Sequence, residues 1–498
     1  MTALEQAATA AAGAVTALGL VGVIDIGSNS VRLVVFEDGV RSPDYFFNEK
    51  VICGLGRGLG ETGKLNPDAK VAALSALKRH VSLARRMGVR DLIVVATAAL
   101  RDADDGPAYR DKLADELGVT IRVATGREEA RLAAEGVLFG WPAARGVVAD
   151  LGGSSLELAV VEDGEVGATA SVPAGHLRLL EPDGPMTRRA MLALSAAAAR
   201  FAPHARRLIL VGGAWRALAM AGMARTSYPY HVLQGYEMTA EQAGEFCDWA
   251  RTESPSVLKK LAGVSSSRIS SLVAGALALK QLIVDLKPET VAISAFGVRE
   301  GLIHERMSPE LRVQEPLIAA AAAMEASHAR CPGFGRELFR WMLPILKDMT
   351  PDRLRLAEAA CLLHDVNWRA HPDFRVGACF GTVSRANLGG VGHKGRLFLG
   401  AALMHRYKGA LQPHEAAAVA TLQEDARRDA EIVGRAARLG AMASGSVIGT
   451  LDHCALRVQP GRLLLSFAPD VADFAGERVK RRLDALADAM KLEPQLVA

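Results

Sequence analysis

Aromatic side chains are scarce in this 498-residue chain, at 5%, and none of its six cysteines stands in a CxxC pair or at zinc-finger spacing. Cys53, Cys247, Cys331, Cys361, Cys379 and Cys454 are therefore read as reduced and mostly buried, which excludes a disulfide framework and points to a cytoplasmic setting. No stretch reads as a membrane span. Residues 6–20 are alanine-rich and mildly apolar, but Glu5 precedes them without a basic n-region, and their apolar character runs straight into the first strand, so a signal peptide is not expected. Excess charge of one sign is missing too: the formal balance of +4 leaves room for a local basic patch but not for a general nucleic-acid binder. The glycine-rich run Gly54–Gly60 has no GK[ST] after it, which argues against an ATP-binding P-loop. Half the residues are apolar, and the chain is too long for a single core.

The chain is organised around a short apolar run, Val21 to Ile26, carrying one acid, Asp25, near its end. A turn, Gly27-Ser28-Asn29-Ser30, leads back into a second apolar strand, Val31 to Phe36. An acid beside a Gly/Ser turn can hold a hydrated cation, while the turn N–H groups face phosphate oxygens. A partial second copy follows about 125 residues later: Gly146 to Asp150, the turn Leu151-Gly152-Gly153-Ser154-Ser155, and Leu156 to Val161. Two such hairpins predict two similar half-domains facing each other across a cleft.

Further segments support this frame. The strand Leu92–Ala96 ends at small residues and Arg101, a position that suits a crevice outside a strand's carboxyl end, where a guanidinium can fork two phosphate oxygens. Thr125 followed by Glu128 reads as a helix cap, leaving Glu129 in the first turn without a capping duty.

Six segments, VIDIGSNSVRLVV, VVATAALRDA, ATGREEARLAAEGV, VVADLGGSSLEL, LILVGGAWRALA and SAFGVREGLIHE, occur in one order over residues 20–306. On these the chain resembles the exopolyphosphatase and guanosine pentaphosphate phosphohydrolase family, a branch of the superfamily of actin, heat-shock ATPases and sugar kinases. The resemblance implies two ribonuclease H-like lobes, residues 1–145 and 146–310, with a central cleft. It makes Glu129 the candidate general base and Asp25 and Asp150 its catalytic companions. Phosphate contacts are expected from Ser28, Asn29, Ser30, Arg32, Arg101, Gly152, Gly153, Ser154, Ser155 and Arg268. Asp25, Asp150 and Glu157 are the expected ligands of Mg²⁺ or another divalent cation, with a structural hydrogen bond behind the turn as the other reading of Glu157. Ser154 and Leu156 depart from the family pattern, which has glycine and threonine there. Trp215 is a candidate block to an adenosine site, and Arg57 and Lys64 are basic residues near the cleft.

Residues 311–498 change to a mostly helical pattern with adjacent His364 and Asp365, resembling in part the histidine-aspartate phosphohydrolase fold. A population from Arg353 to Lys408, including Arg355, Arg375, Arg396 and Arg406, is basic enough to extend a polyanion groove. The expectation is a cytoplasmic, homodimeric exopolyphosphatase that removes the terminal phosphate of inorganic polyphosphate without nucleic-acid or membrane partners. Guanosine pentaphosphate is the alternative substrate, phosphotransfer the alternative reaction, and non-catalytic regulation the alternative without chemistry.

Overall fold

The structure, a computed structural model, describes residues 19–180, 184–265, 268–407 and 411–497, so most of the alanine-rich opening lies outside the described residues. It divides into two compact units, residues 1–314 and 315–498.

The first unit contains the same sheet twice. Strands β1 (Leu20–Ile26), β2 (Ser30–Glu37), β3 (Tyr45–Ile52), β4 (Asp91–Ala96) and β5 (Ile121–Val123) form a sheet in the order β3-β2-β1-β4-β5. In it β1, β2 and β3 run antiparallel, while β1, β4 and β5 are parallel. The second sheet uses β6 (Gly146–Leu151), β7 (Leu156–Glu162), β8 (Glu165–Val172), β9 (Arg207–Val211), β10 (Glu237–Thr239) and β11 (Thr290–Ile293), in the order β10-β11-β9-β6-β7-β8. Reading β8-β7-β6-β9-β11 against β3-β2-β1-β4-β5 gives the same order and the same strand directions. The central strands are buried along almost their whole length, as continuous apolar runs covered on both faces must be.

Helices cover both sheets. Helix α1 (Pro67–Arg86) starts where the Asn66 side chain accepts from the Ala69 N–H, has proline in its first turn and ends on Arg85 and Arg86. Two other helices join the lobes: α2 (Gly126–Gly140) leads from β5 to β6, and α3 (Val298–Arg306) follows β11. They cross on glycine. A Cβ on Gly136 would lie 2.1 Å from the Gly297 carbonyl oxygen, and one on Gly301 only 1.9 Å from that of Leu132. One side of this pair packs under the first sheet through Leu132, Phe139, Phe296 and Leu302, and α2 packs against the second sheet through Val137 and Leu138. One described helix, Ile269–Leu286, is long and apolar enough to cross a membrane. Its Leu272, Ala276, Leu279 and Leu282 instead fill the core of the second lobe.

The second unit is helical, with a small sheet of β12 (Cys454–Gln459), β13 (Arg462–Phe467) and β14 (Glu493–Val497). Its helices include Arg375–Arg385, and a long helix, Glu477–Met490, precedes the last strand. The helices Pro413–Ala420 and Glu424–Ser444 are separated by a short break. Among the described residues several of the basic population are engaged within the unit instead of lining a groove. Arg353 pairs with Asp425 and Asp429, Arg355 with Glu315 and Asp352, and buried Arg396 donates to the carbonyls of Ser384, Ala386 and Leu388. Lys408 lies outside the described residues.

The helix crossing makes a direct prediction. Gly136→Ala or Gly301→Ala should destabilise the protein by about 1–3 kcal/mol through overpacking. Gly377→Ala, in a helix interior with nothing within 4 Å, should instead stabilise by about 0.5–1 kcal/mol. Chemical denaturation followed by circular dichroism separates the two; a neutral Gly301→Ala would show slack in the crossing.

Candidate active site

The two hairpins make the same turn. The Gly27 N–H donates to the Ser30 carbonyl at 2.9 Å, and the Gly152 N–H to the Ser155 carbonyl at 3.0 Å. Cross-strand register then decides what each acid meets. Asp25 lies opposite Arg32, which lies opposite Lys50. Asp150 lies opposite Glu157, which lies opposite Ser171.

Between the lobes is a cleft of about 200 Å³, lined by both turns and by Asp25, Asp150 and Glu129. Arg32, Lys50, Arg216, Arg268 and Arg299 line it as well. Arg299 approaches Asp25 to 3.7 Å, and Arg216 donates through Nε to the Gly212 carbonyl at 3.2 Å. Burial, reinforced by the neighbouring guanidinium groups, brings Lys50 down to about 8 and Arg32 to about 10. So much like charge in one cleft favours an anion.

Glu129 reaches the cleft because its neighbour does the capping. Thr125 Oγ1 accepts from the Glu128 N–H at 3.2 Å, and Glu128 accepts from the Thr125 N–H at 2.8 Å and from Arg122 at 3.0 Å. The Glu129 side chain is only 7% exposed and accepts from Arg101 Nη1 at 3.0 Å. Burial pushes its carboxyl up to about 7, against the pull of Arg101 and with help from Asp150 and Asp25. Burial also raises Asp25, and raises Asp150 to about 6.

Ser28, Asn29, Ser30, Arg32, Gly152, Gly153, Ser155 and Arg268 are thus brought together with the three acids. The other expected site residues are placed differently. Arg101 does not line the cleft: it is engaged by Glu129, Asp102 and the Ala124 carbonyl. Ser154 turns its hydroxyl away to donate to Ser28 Oγ at 3.0 Å. Glu157, expected as a metal ligand, is 1% exposed and lies outside the cleft lining; one carboxylate oxygen accepts from Ser171 Oγ at 2.8 Å, and among the described residues the other is buried without a hydrogen-bond partner. Trp215 is buried with its Nε1 donating to the Gly275 carbonyl at 2.8 Å, where it cannot block a nucleotide. Arg57 and Lys64 do not line the cleft, whereas Lys50, Arg216 and Arg299 do. Their signal was present: Arg216 and Arg299 each follow a strand and a glycine turn, as Arg101 follows β4.

The profile of the Ppx/GppA phosphatase family matches residues 10–310. The chain belongs to this family. Residues 317–497 match the family's exopolyphosphatase C-terminal domain. Exopolyphosphatase 1 of Mycobacterium leprae is 29% identical over 307 residues, 58% of this chain and 90% of that protein. Exopolyphosphatase 2 of Mycobacterium tuberculosis is 35% identical over 176 residues, 33% of this chain and 55% of that protein. The Ppx/GppA family member of Aquifex aeolicus superposes with a TM-score of 0.50 at 25% identity, covering 58% of this chain and 97% of its own. Membership makes the chain a hydrolase.

The residues of the cleft suit a divalent cation. Asp25 and Asp150 line it together, and glycine keeps the space beside one of them clear: a Cβ on Gly212 would come within 3.2 Å of Asp150 Oδ1. Among the described residues no group of three or more His, Cys, Asp or Glu forms a complete metal cage. Two carboxylates, with water and phosphate oxygens filling the other positions, is the manner in which Mg²⁺ is commonly held. In the second unit, His364 bonds the Cys361 carbonyl at 2.7 Å and Asp365 is gripped by both Arg330 nitrogens, at 2.6 and 3.0 Å, so neither is arranged to bind a metal.

The raised acids carry a stability consequence. A carboxyl raised by folding stabilises the fold fully below its unfolded pKa, and the contribution is lost as pH rises through the folded value. For Asp150 that window runs from 3.8 to about 6. Asp150→Asn should therefore melt on the order of 2–4 °C higher than wild type at pH 8 in phosphate-free buffer with chelator, and at nearly the same temperature at pH 4. Equal melting temperatures at pH 8 would remove the charge-burial cost.

Proposed function

We propose that this protein hydrolyses the terminal phosphoanhydride bond of linear inorganic polyphosphate, releasing orthophosphate. The observation that carries the reading is the convergence of Glu129 with two phosphate turns and a set of cationic side chains in one cleft. The relatives named exopolyphosphatase, and the match to an exopolyphosphatase C-terminal domain, support the same substrate.

In this reading the turn N–H groups and Arg32, Lys50, Arg268 and Arg299 bind the terminal phosphates and fix their orientation. Asp25 and Asp150 would hold a divalent cation, Mg²⁺ by the chemistry of its ligands, which would neutralise terminal oxygens when bound. Glu129 accepts a proton from the attacking water through a carboxylate oxygen. Arg101 holds the other side of that carboxylate and keeps its pKa from rising further. The leaving group is a shorter phosphate chain that needs little protonation. Among the described residues the cleft lining has no Phe, Tyr or Trp, so a guanine base finds no large aromatic ring there, and this favours polyphosphate over guanosine pentaphosphate. The cytoplasm, where polyphosphate would be met, is the setting that goes with this reading.

Two measurements test it. Glu129→Gln should reduce phosphate release from long polyphosphate by about 10²- to 10⁴-fold. Release at wild-type rate would remove Glu129 as the base. The second is a pH profile. A base must be ionised to act, so wild-type kcat/KM should climb with pH through about 7. In Arg101→Met, which loses the lowering contact, the climb should move to higher pH; an unmoved limb would show that Arg101 does not tune the base.

A further inference from the structure

Behind the phosphate turns lies a second pocket of about 210 Å³. Its near wall is the meeting point of three loops. Ser154 Oγ donates to Ser28 Oγ at 3.0 Å, and the Gly56 N–H donates to the Ser28 carbonyl at 2.8 Å. The packing is tight: a Cβ on Gly56 would lie 2.9 Å, and one on Gly153 2.8 Å, from Ser28 Cβ. Ser28 and Gly153 line the front cleft, while Gly56 and Ser154 line the rear pocket. A single layer of residues therefore separates the two spaces. The layer also divides between the lobes: Ser28 and Gly56 come from the first, Gly153 and Ser154 from the second. Among the described residues the one side-chain hydrogen bond across it is the neutral serine pair, and Ser154 supplies its hydroxyl where the family pattern has glycine.

The rear pocket is basic. Arg57 and Arg178 line it, and Arg178 Nε donates to the Ser154 carbonyl at 3.1 Å. Among the described residues neither guanidinium has a carboxylate partner, and Glu61 lines the same pocket without pairing with either. The Arg178 guanidinium is thereby tied to the wall itself. On the polyphosphate reading, hydrolysis at a chain end would leave orthophosphate between the turns and the shortened polymer.

We propose that the rear pocket is a second phosphate site, binding orthophosphate on Arg57 and Arg178 while polyphosphate occupies the front cleft. Arg178 forks the anion from the wall and Arg57 covers it from the glycine-rich loop. The inference rests on the polyphosphate reading of the front cleft and adds a product site to it.

The test is equilibrium dialysis of radiolabelled orthophosphate with full-length Glu129→Gln, in the presence and absence of saturating long polyphosphate. With polymer bound, one orthophosphate per chain should remain, and adding Arg57→Ala and Arg178→Ala should weaken it at least tenfold. Arg57→Lys with Arg178→Lys should retain part of the affinity, separating lost charge from lost folding. Without polymer, the stoichiometry should fall by one between Glu129→Gln and the triple variant, so the site is read even if polymer fails to bind. Failure of polymer to bind would count against the front-cleft function alone. Complete displacement of orthophosphate by polymer, or unchanged stoichiometry in the triple variant, would overturn the rear site.

Discussion

Backbone contact between two helices is the constraint on which the site depends. Because Gly136 and Gly301 carry no side chain, α2 and α3 cross with carbonyl oxygens where Cβ atoms would otherwise lie. That closeness sets the direction of both helices, and both begin at the cleft. The first turn of α2 presents Glu129; the first turn of α3 presents Arg299. Glu300 then locks α3 in place, accepting from the Gly297 N–H at 2.8 Å and from the Tyr45 hydroxyl at 3.1 Å. The N-terminus of α3, where Gly297 and Val298 line the cleft, adds its partial positive charge to the arginines already there. An anion in the cleft thus meets a field built from the fold as well as from side chains.

The field has a cost that the protein carries in both signs. Burial raises Asp25, Asp150 and Glu129, while burial, reinforced by the neighbouring guanidinium charges, lowers Lys50 and Arg32. Neither set relieves the other fully: Arg299 stands 3.7 Å from Asp25, beyond hydrogen-bond contact. A cleft strained in this way is complemented by a ligand that brings charge of both signs, as the proposed cation and polyphosphate end would. Local instability and binding are then one property of the same residues.

Much of this was legible because it is written in short-range patterns. Both strand–acid–turn hairpins are contiguous in the sequence, and so is the Thr125–Glu128 cap that frees Glu129. What escaped the sequence lies in long-range pairing. Nothing local distinguishes Arg101, held by Glu129, from Arg299, which lines the cleft; both follow a strand and small residues. Nor does the alternation of a helix reveal that Arg396 is buried on three carbonyls, since an arginine surrounded by apolar residues reads equally well as a solvated face. His364 shows the same limit. Its neighbour Asp365 suggests a metal pair, but burial brings the imidazole down to about 3 and turns it toward a backbone carbonyl.

The repeated hairpin shows how one backbone yields two chemistries. The turns close with the same hydrogen bond, and the acids sit at the same register, so the difference arises one strand further out. In the first lobe the cross-strand positions hold Arg32 and Lys50, long cations that extend from the sheet into the cleft. In the second they hold Glu157 and Ser171, which bond each other beneath the turn and stay out of the cleft. Gly126, where α2 begins, fits against Ser171 so closely that a Cβ there would lie 2.5 Å from the serine Cβ. The second lobe's small residues therefore seat the helix that carries Glu129. One hairpin lines the cleft with cations and the other seats the helix that carries Glu129, and the two arrangements need the repeat to be broken at those strand positions while the turns remain alike.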